Sequence, residues 1–216
     1  MVSKKKLNIS SSELNTIKPI TDNQKEVFAS YEKGQNLFLY GVAGTGKTFI
    51  ALYNALKDVL DPKSPRERVY IVRSLLPTRD IGFLPGDEED KSYLYQVPYQ
   101  NMVRFMFQRG SDAEFDRLYT DLRNQGTIDF LSTSFLRGIT IDNGVIIVDE
   151  CQNLNFHELD TIMTRVGQNT RIVFAGDIQQ TDLTKTNDRN GILDFVTDSN
   201  THLRAHETLR YHVCRP

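Results

Sequence analysis

Cysteine is scarce in this 216-residue chain: only Cys151 and Cys214 occur, with no second Cys or His beside them at metal-ligand spacing. That excludes a disulfide framework and a zinc-binding cluster, and it fits a reducing, intracellular compartment. A chain of this length buries enough core to need no covalent staple. Long apolar runs are absent too. The N-terminal MVSKKKLNISSSELN is basic but has no apolar stretch behind it, which argues against a signal peptide or a membrane span and for a soluble, cytoplasmic protein. Residues 1–19 read as a flexible leader and residues 20–216 as a single domain. Charge of one sign is also missing: 26 basic residues face 28 acidic ones, for a net −2. The balance gives no global sign of a polyanionic partner, although it leaves room for a local patch. No internal repeat or low-complexity segment is visible.

What is present begins at residue 41. The run Gly41-Val42-Ala43-Gly44-Thr45-Gly46-Lys47-Thr48 has the form G-x-x-x-x-G-K-T. Its glycines let backbone N–H groups curl round a phosphate, Lys47 reaches the β- and γ-phosphates, and the Thr48 hydroxyl can ligate Mg²⁺. Leu37 to Tyr40 before it reads as a buried strand, and Thr48 to Leu60 after it as an amphipathic helix. Strand, loop and helix in that order make a phosphate cradle the stronger reading over an ordinary glycine-rich turn.

Around this loop the chain alternates. Thr21-Asp22-Asn23-Gln24 is a helix start, followed by Val27, Phe28 and Tyr31 at helical spacing and ended by Gly34. Further strands are predicted at 69–72, 128–131, 145–148 and 171–175, with a helix at 157–166. Short apolar strands alternating with helices imply an α/β fold with a mostly parallel sheet covered on both faces. Residues 74–126 interrupt the rhythm as an insertion or lid, with helices expected at 100–107 and 113–122. Its aromatic residues Phe83, Tyr93, Tyr95, Tyr99, Phe105 and Phe107 lie among Arg79, Lys91, Arg104 and Arg109. They can be read as base-stacking residues or, more economically, as the insertion's own small core.

Two further motifs convert phosphate binding into chemistry. The strand Val145–Val148 runs into Asp149-Glu150, where one carboxylate can hold Mg²⁺ beside the loop hydroxyl and the second can orient or deprotonate the water that attacks the γ-phosphate. Gly176-Asp177-Ile178-Gln179-Gln180 follows the next strand. Its position at a strand's carboxyl end faces it to the same cleft, where a glutamine can sense the terminal phosphate.

Taken together, the GVAGTGKT loop, VDECQN at 148–153 and GDIQQ at 176–180 resemble the first motor domain of superfamily one helicases, and within that class the PhoH-like ATPases. FLPGD at 83–87, Leu136-Arg137-Gly138 and LRYH at 209–212 support the narrower likeness. The resemblance implies a RecA-like P-loop NTPase fold, with ATP and Mg²⁺ as cofactors and hydrolysis coupled to RNA or single-stranded nucleic acid. It also implies a homo-oligomer, a hexameric ring being the expectation. Under it Gln24 becomes an adenine contact, Gln180 the γ-phosphate sensor and Arg210 a γ-phosphate contact; a surface arginine paired with Glu207 is the plain alternative for Arg210. Arg137 would touch nucleic acid or a neighbouring subunit. The catalytic set expected is thus Lys47, Glu150, Gln180 and Arg210, with Thr48 and Asp149 at the metal.

The chain departs from the family pattern in three places. Residues 73–82 are not the arginine- and proline-rich version, Ile139 stands where an arginine follows LRG, and Cys151 replaces the usual alanine as a small buried residue. These departures resemble the phage-encoded branch, whose members would work in a host cytoplasm. Two other function classes share the loop: a small-molecule kinase, and a nucleotide-gated binding module without turnover. A kinase would need an acceptor pocket and an arginine-rich lid, whereas residues 87–90 are acidic.

Overall fold

The computed structural model describes residues 9–73, 88–133, 135–136, 138–177, 195 and 209–213. Six strands form one sheet: β1 (Asn36–Tyr40), β2 (Arg68–Arg73), β3 (Ile128–Leu131), β4 (Gly144–Asp149), β5 (Arg171–Gly176) and β6 (Leu209–Val213). Their order is β3-β2-β4-β5-β1-β6, and every pairing is parallel. The five predicted strands are all present. The sixth, β6, carries the LRYH segment and closes one edge. All side chains of β4 are buried, as a strand covered on both faces requires. This is the RecA-like α/β arrangement that the motifs imply.

Helices α1 (Asp22–Glu32), α2 (Lys47–Val59), α3 (Glu88–Phe107), α4 (Asp112–Asn124) and α5 (Phe156–Met163) flank the sheet. Thr21 caps α1 by accepting the Gln24 N–H, at the predicted start. One core cluster joins α1 to α4 with Leu37, Leu39, Val69, Ile71, Val145, Ile147 and Val173, the alternate residues of their strands. The other joins α5 with Phe38, Val72, Ile146, Val148, Ile172 and Phe174 on the opposite face. Among the described residues no helix is long and apolar enough to cross a membrane.

Two segments carry structure that the sequence reading does not include. Within the predicted leader Ile9 and Leu14 are buried, the Asn15 N–H donates to the Met106 carbonyl at 2.8 Å, and Arg109 pairs with Glu13 at 2.5 Å. Polar composition hid two apolar anchors in a segment that a 3-10 turn at Ser11–Glu13 folds onto α2 and α3. Helix α3 begins at Glu88, twelve residues before the expected start, and runs through the exposed Pro98. Proline removes one helical hydrogen bond there without ending the helix. Tyr99, Val103, Met106 and Phe107 then enter the main core, so this part of the insertion has no separate core of its own. Phe105 remains 68% exposed, while Phe83 lies outside the described residues.

Away from the loops at the sheet's carboxyl edge, Asp58 accepts from Arg66 Nε and Ser64 Oγ at 2.6 Å each, and Arg171 lies 3.5 Å away. Burial works against the Asp58 charge, but these hydrogen bonds and the two guanidinium charges outweigh it and hold the carboxyl below its usual range. Its native pKa therefore lies below the unfolded value near 3.9, so its stabilisation is present above about pH 4 and lost as pH falls through the native value. Asp58→Asn is expected to lower stability by about 3 kcal/mol at pH 7. The deficit relative to the parent should shrink towards pH 3 in urea unfolding; a deficit independent of pH would show that Asp58 is not the titrating group.

Candidate functional site

In a parallel sheet the ligand edge is the one at which the strands end. Here β1, β4 and β5 end together, and β5 lies between the other two. Strands β1 and β4 are thus about 10 Å apart, and the loop 41–48 spans that gap. Gly44 and Gly46 take φ of 78° and 79°, the left-handed region that a side chain at Cβ disfavours. Gly46 caps α2 without a side-chain hydrogen bond, leaving the first N–H groups of the helix for an anion.

Lys47 is buried, its ammonium folded across the loop. Nζ donates to the carbonyls of Gly41 and Val42 at 2.8 Å each and approaches Thr45 Oγ1 at 3.4 Å. Thr45 Oγ1 in turn donates to Val42 O at 3.0 Å. Gln24 lies against the same loop: its Nε2 is 3.9 Å from where a Cβ on Gly46 would stand, and its Oε1 accepts the Ile20 N–H at 2.8 Å.

From α2, the Thr48 hydroxyl donates to Asp149 Oδ1 at 2.6 Å. Two residues 101 positions apart, predicted separately as metal ligands, therefore meet. A hydroxyl beside a carboxylate at the foot of a phosphate cradle is an oxygen-donor set that suits Mg²⁺, which takes few protein ligands and completes its shell with phosphates and water. Among the described residues there is no group of three or more His, Cys, Asp or Glu that could hold a metal ion.

Glu150 follows with φ 50° and ψ 41°, an uncommon conformation for a residue with a side chain and one that clusters at functional sites. A single turn at Cys151–Asn153 holds it there. Gln152 Nε2 donates to Glu150 Oε2, and Gln152 Oε1 accepts the Asp177 N–H at 3.0 Å. One buried amide thus clips the carboxylate turn after β4 to the start of the GDIQQ loop after β5. Close approach makes the clip possible: a Cβ on Gly176 would fall 2.6 Å from Cys151 Sγ and 2.7 Å from Gln152 Oε1. Cys151 is fully buried, and burial, with the charges of Asp149 and Glu150, pushes its thiol up; it is an inert packing group.

Sequence reading missed two members of this site. Gln152 lies inside VDECQN but has no role until β5 is seen beside β4. Tyr99, from α3, donates its hydroxyl to Asp149 Oδ2 at 2.7 Å. Burial, then the charge of Asp149, pushes that phenol up, so it stays a proton donor at any ordinary pH.

Gln180, FLPGD and Arg137 lie outside the described residues. Arg137's neighbours flank it with Leu136 buried in the second core and Phe135 75% exposed. The β6 register sets Arg210 beside Leu37, with Val213 beside Tyr40, the residue before the loop.

A family model described as "PhoH-like protein" matches residues 16–211. Among curated relatives, Protein PhoH2 of Bacillus subtilis (strain 168) is 34% identical over 161 residues, covering 74% of this chain and 36% of the relative. Protein PhoH of Escherichia coli (strain K12) is 32% identical over 161 residues, covering 74% of this chain and 44% of the relative. The chain spans less than half the length of these relatives. Among solved structures, Pif1 helicase from Candida albicans is similar at 15% identity and a TM-score of 0.43, over 93% of this chain and 40% of that one. A match running from before the first helix into the last strand, over the same residues that build the cradle and the carboxylate turn, leaves one conclusion: this chain belongs to the PhoH family of P-loop proteins.

Proposed function

We propose that this protein binds ATP with Mg²⁺ at the loop 41–48, hydrolyses it, and couples that hydrolysis to remodelling of RNA or single-stranded nucleic acid. The observation that carries the first part is the 2.6 Å contact between Thr48 Oγ1 and Asp149 Oδ1. Thr48 and Asp149 would hold Mg²⁺, which when bound with ATP supplies charge neutralisation at the β- and γ-phosphates. Lys47 would exchange its carbonyl partners for phosphate oxygens, and the N–H groups of α2 would cradle the phosphates. Glu150, held by Gln152, orients the attacking water and takes its proton. Because Gln152 also grips the Asp177 N–H, a change in the GDIQQ loop is felt at Glu150, which suits a γ-phosphate sensor at Gln180. Gln24 against Gly46 suits an adenine contact.

The positive charge that stabilises the transition state would come from Arg210 or from an arginine of a neighbouring protomer. A neighbouring protomer fits the homo-oligomer that the family resemblance implies, and it would supply a second wall to a nucleic-acid cleft, for which one domain offers only the first.

The test is phosphate release from ATP with no added acceptor, on a size-resolved sample, with and without single-stranded RNA or DNA. Mg²⁺-dependent turnover raised at least about fivefold by one polymer is the expected outcome. Release only with a small acceptor would mean a kinase, and binding without turnover would mean a nucleotide-gated module; either result overturns the coupled-ATPase reading.

A further inference from the structure

We propose that Tyr99 is a positioning residue for the metal-bearing carboxylate, through which helix α3 sets the affinity for a divalent cation with its nucleotide. The inference rests on the Mg²⁺-nucleotide reading above and adds to it a residue from outside the phosphate loop and the carboxylate turn.

Both oxygens of Asp149 are tied. Oδ1 accepts from Thr48 at 2.6 Å and Oδ2 from the Tyr99 hydroxyl at 2.7 Å. The first donor rides on α2, directly after the loop. The second rides on α3, in the segment between β2 and β3 that the strand pattern leaves as an insertion. Tyr99 is 2% exposed, and its ring meets Phe130 edge-on with centroids 5.4 Å apart. Arg73, the last residue of β2, stands opposite Asp149 in the β2–β4 register. The Arg73 guanidinium lies 5.8 Å from the Tyr95 ring centroid, one turn earlier on α3.

Tyr99 thus gives Asp149 Oδ2 a donor from outside the phosphate loop and the carboxylate turn. Holding Oδ2 fixes the rotation of the carboxylate, so Oδ1 faces Thr48 before any cation arrives. Hydrogen bonds that orient a metal ligand in this way are worth roughly 10–100-fold in metal affinity. A hydroxyl donated by a buried aromatic ring does so with little rotational freedom of its own.

The experiment measures binding, not turnover. A fluorescent ATP analogue is titrated into the full chain and into Tyr99→Phe at a series of Mg²⁺ concentrations and in EDTA, and bound Mn²⁺ is read by electron paramagnetic resonance. The expected result is a Mg²⁺ or Mn²⁺ requirement about tenfold higher in Tyr99→Phe, with nucleotide affinity in EDTA unchanged within about twofold. Superimposable cation curves would overturn the proposal, as would an equal loss in the EDTA arm, which would mark Tyr99 as a packing residue. If nucleotide affinity of the parent chain does not respond to Mg²⁺, the underlying reading fails with it; a responsive parent with an unchanged variant sinks the Tyr99 role alone. Should Tyr99→Phe not fold, Phe130→Leu loosens the ring's seat while keeping the hydroxyl. It is expected to shift the cation curve about threefold in the same direction, and no shift there overturns the proposal.

Discussion

Lys47→Ala will reduce ATP turnover by about a thousandfold or more, to the background of the assay. The ammonium is buried and satisfied by Gly41 O, Val42 O and Thr45 Oγ1, all belonging to the loop it must serve. It is therefore stored beside the place where phosphate charge develops and need only trade partners. Removing it deletes a fixed positive charge in a partly desolvated site, where such a charge counts for far more than in water. Alanine there also leaves the Gly41 carbonyl without this donor and Val42 O with Thr45 Oγ1 alone, so a modest loss of thermal stability is expected alongside. Phosphate release at saturating Mg²⁺ and ATP, with circular dichroism as the folding check, measures the effect. Turnover above a tenth of the parent's would remove Lys47 from the chemistry.

The strength of that expectation reflects how local its basis is. The cradle is written in eight consecutive residues, and the strands beside it are short apolar runs bounded by turns, so both are legible in the sequence. Thr48 and Asp149 could also be named in advance, because each carries its own motif; their 2.6 Å contact only required the sheet to form. What stayed hidden depends on long-range packing. Tyr99 reads as one aromatic among several in an irregular stretch, with Pro98 beside it signalling a break. Only the continuation of α3 through that proline brings its hydroxyl to a carboxylate 50 positions away. Gln152 shows the same dependence, since its second partner, the Asp177 N–H, lies on the neighbouring strand's loop. Arg210 shows a further limit: a motif fixes the residue type but not the register, which only the pairing of β6 with β1 supplies.

These residues also connect the site to the rest of the molecule. Asp149 is gripped from α3, and Glu150 by Gln152, which also holds the start of the loop after β5. A ligand that displaced either element would alter the two carboxylates separately, one at the cation and one at the water. By linkage, nucleotide and cation would in turn bias those elements. That is the physical requirement for a domain that converts hydrolysis into work on a polymer, and it needs no contact between polymer and ATP.

The sharpest division of roles comes from Glu150→Gln, which is expected to bind Mg²⁺ and ATP as the parent does, within about twofold, while kcat falls by about a hundred- to a thousandfold. The substitution keeps the volume and leaves an amide oxygen that can still accept from Gln152 Nε2, so the clip to Asp177 and the left-handed turn survive. What disappears is the negative charge and the ability to take a proton from water. Asp149, with its own two donors, is untouched, so cation and nucleotide affinity have no reason to change. Single-turnover hydrolysis of pre-bound ATP isolates the step and excludes slow product release as the cause. An unchanged kcat would take water activation away from Glu150 and return the site to phosphate binding alone. A fall in affinity equal to the fall in kcat would instead assign the residue to ground-state binding.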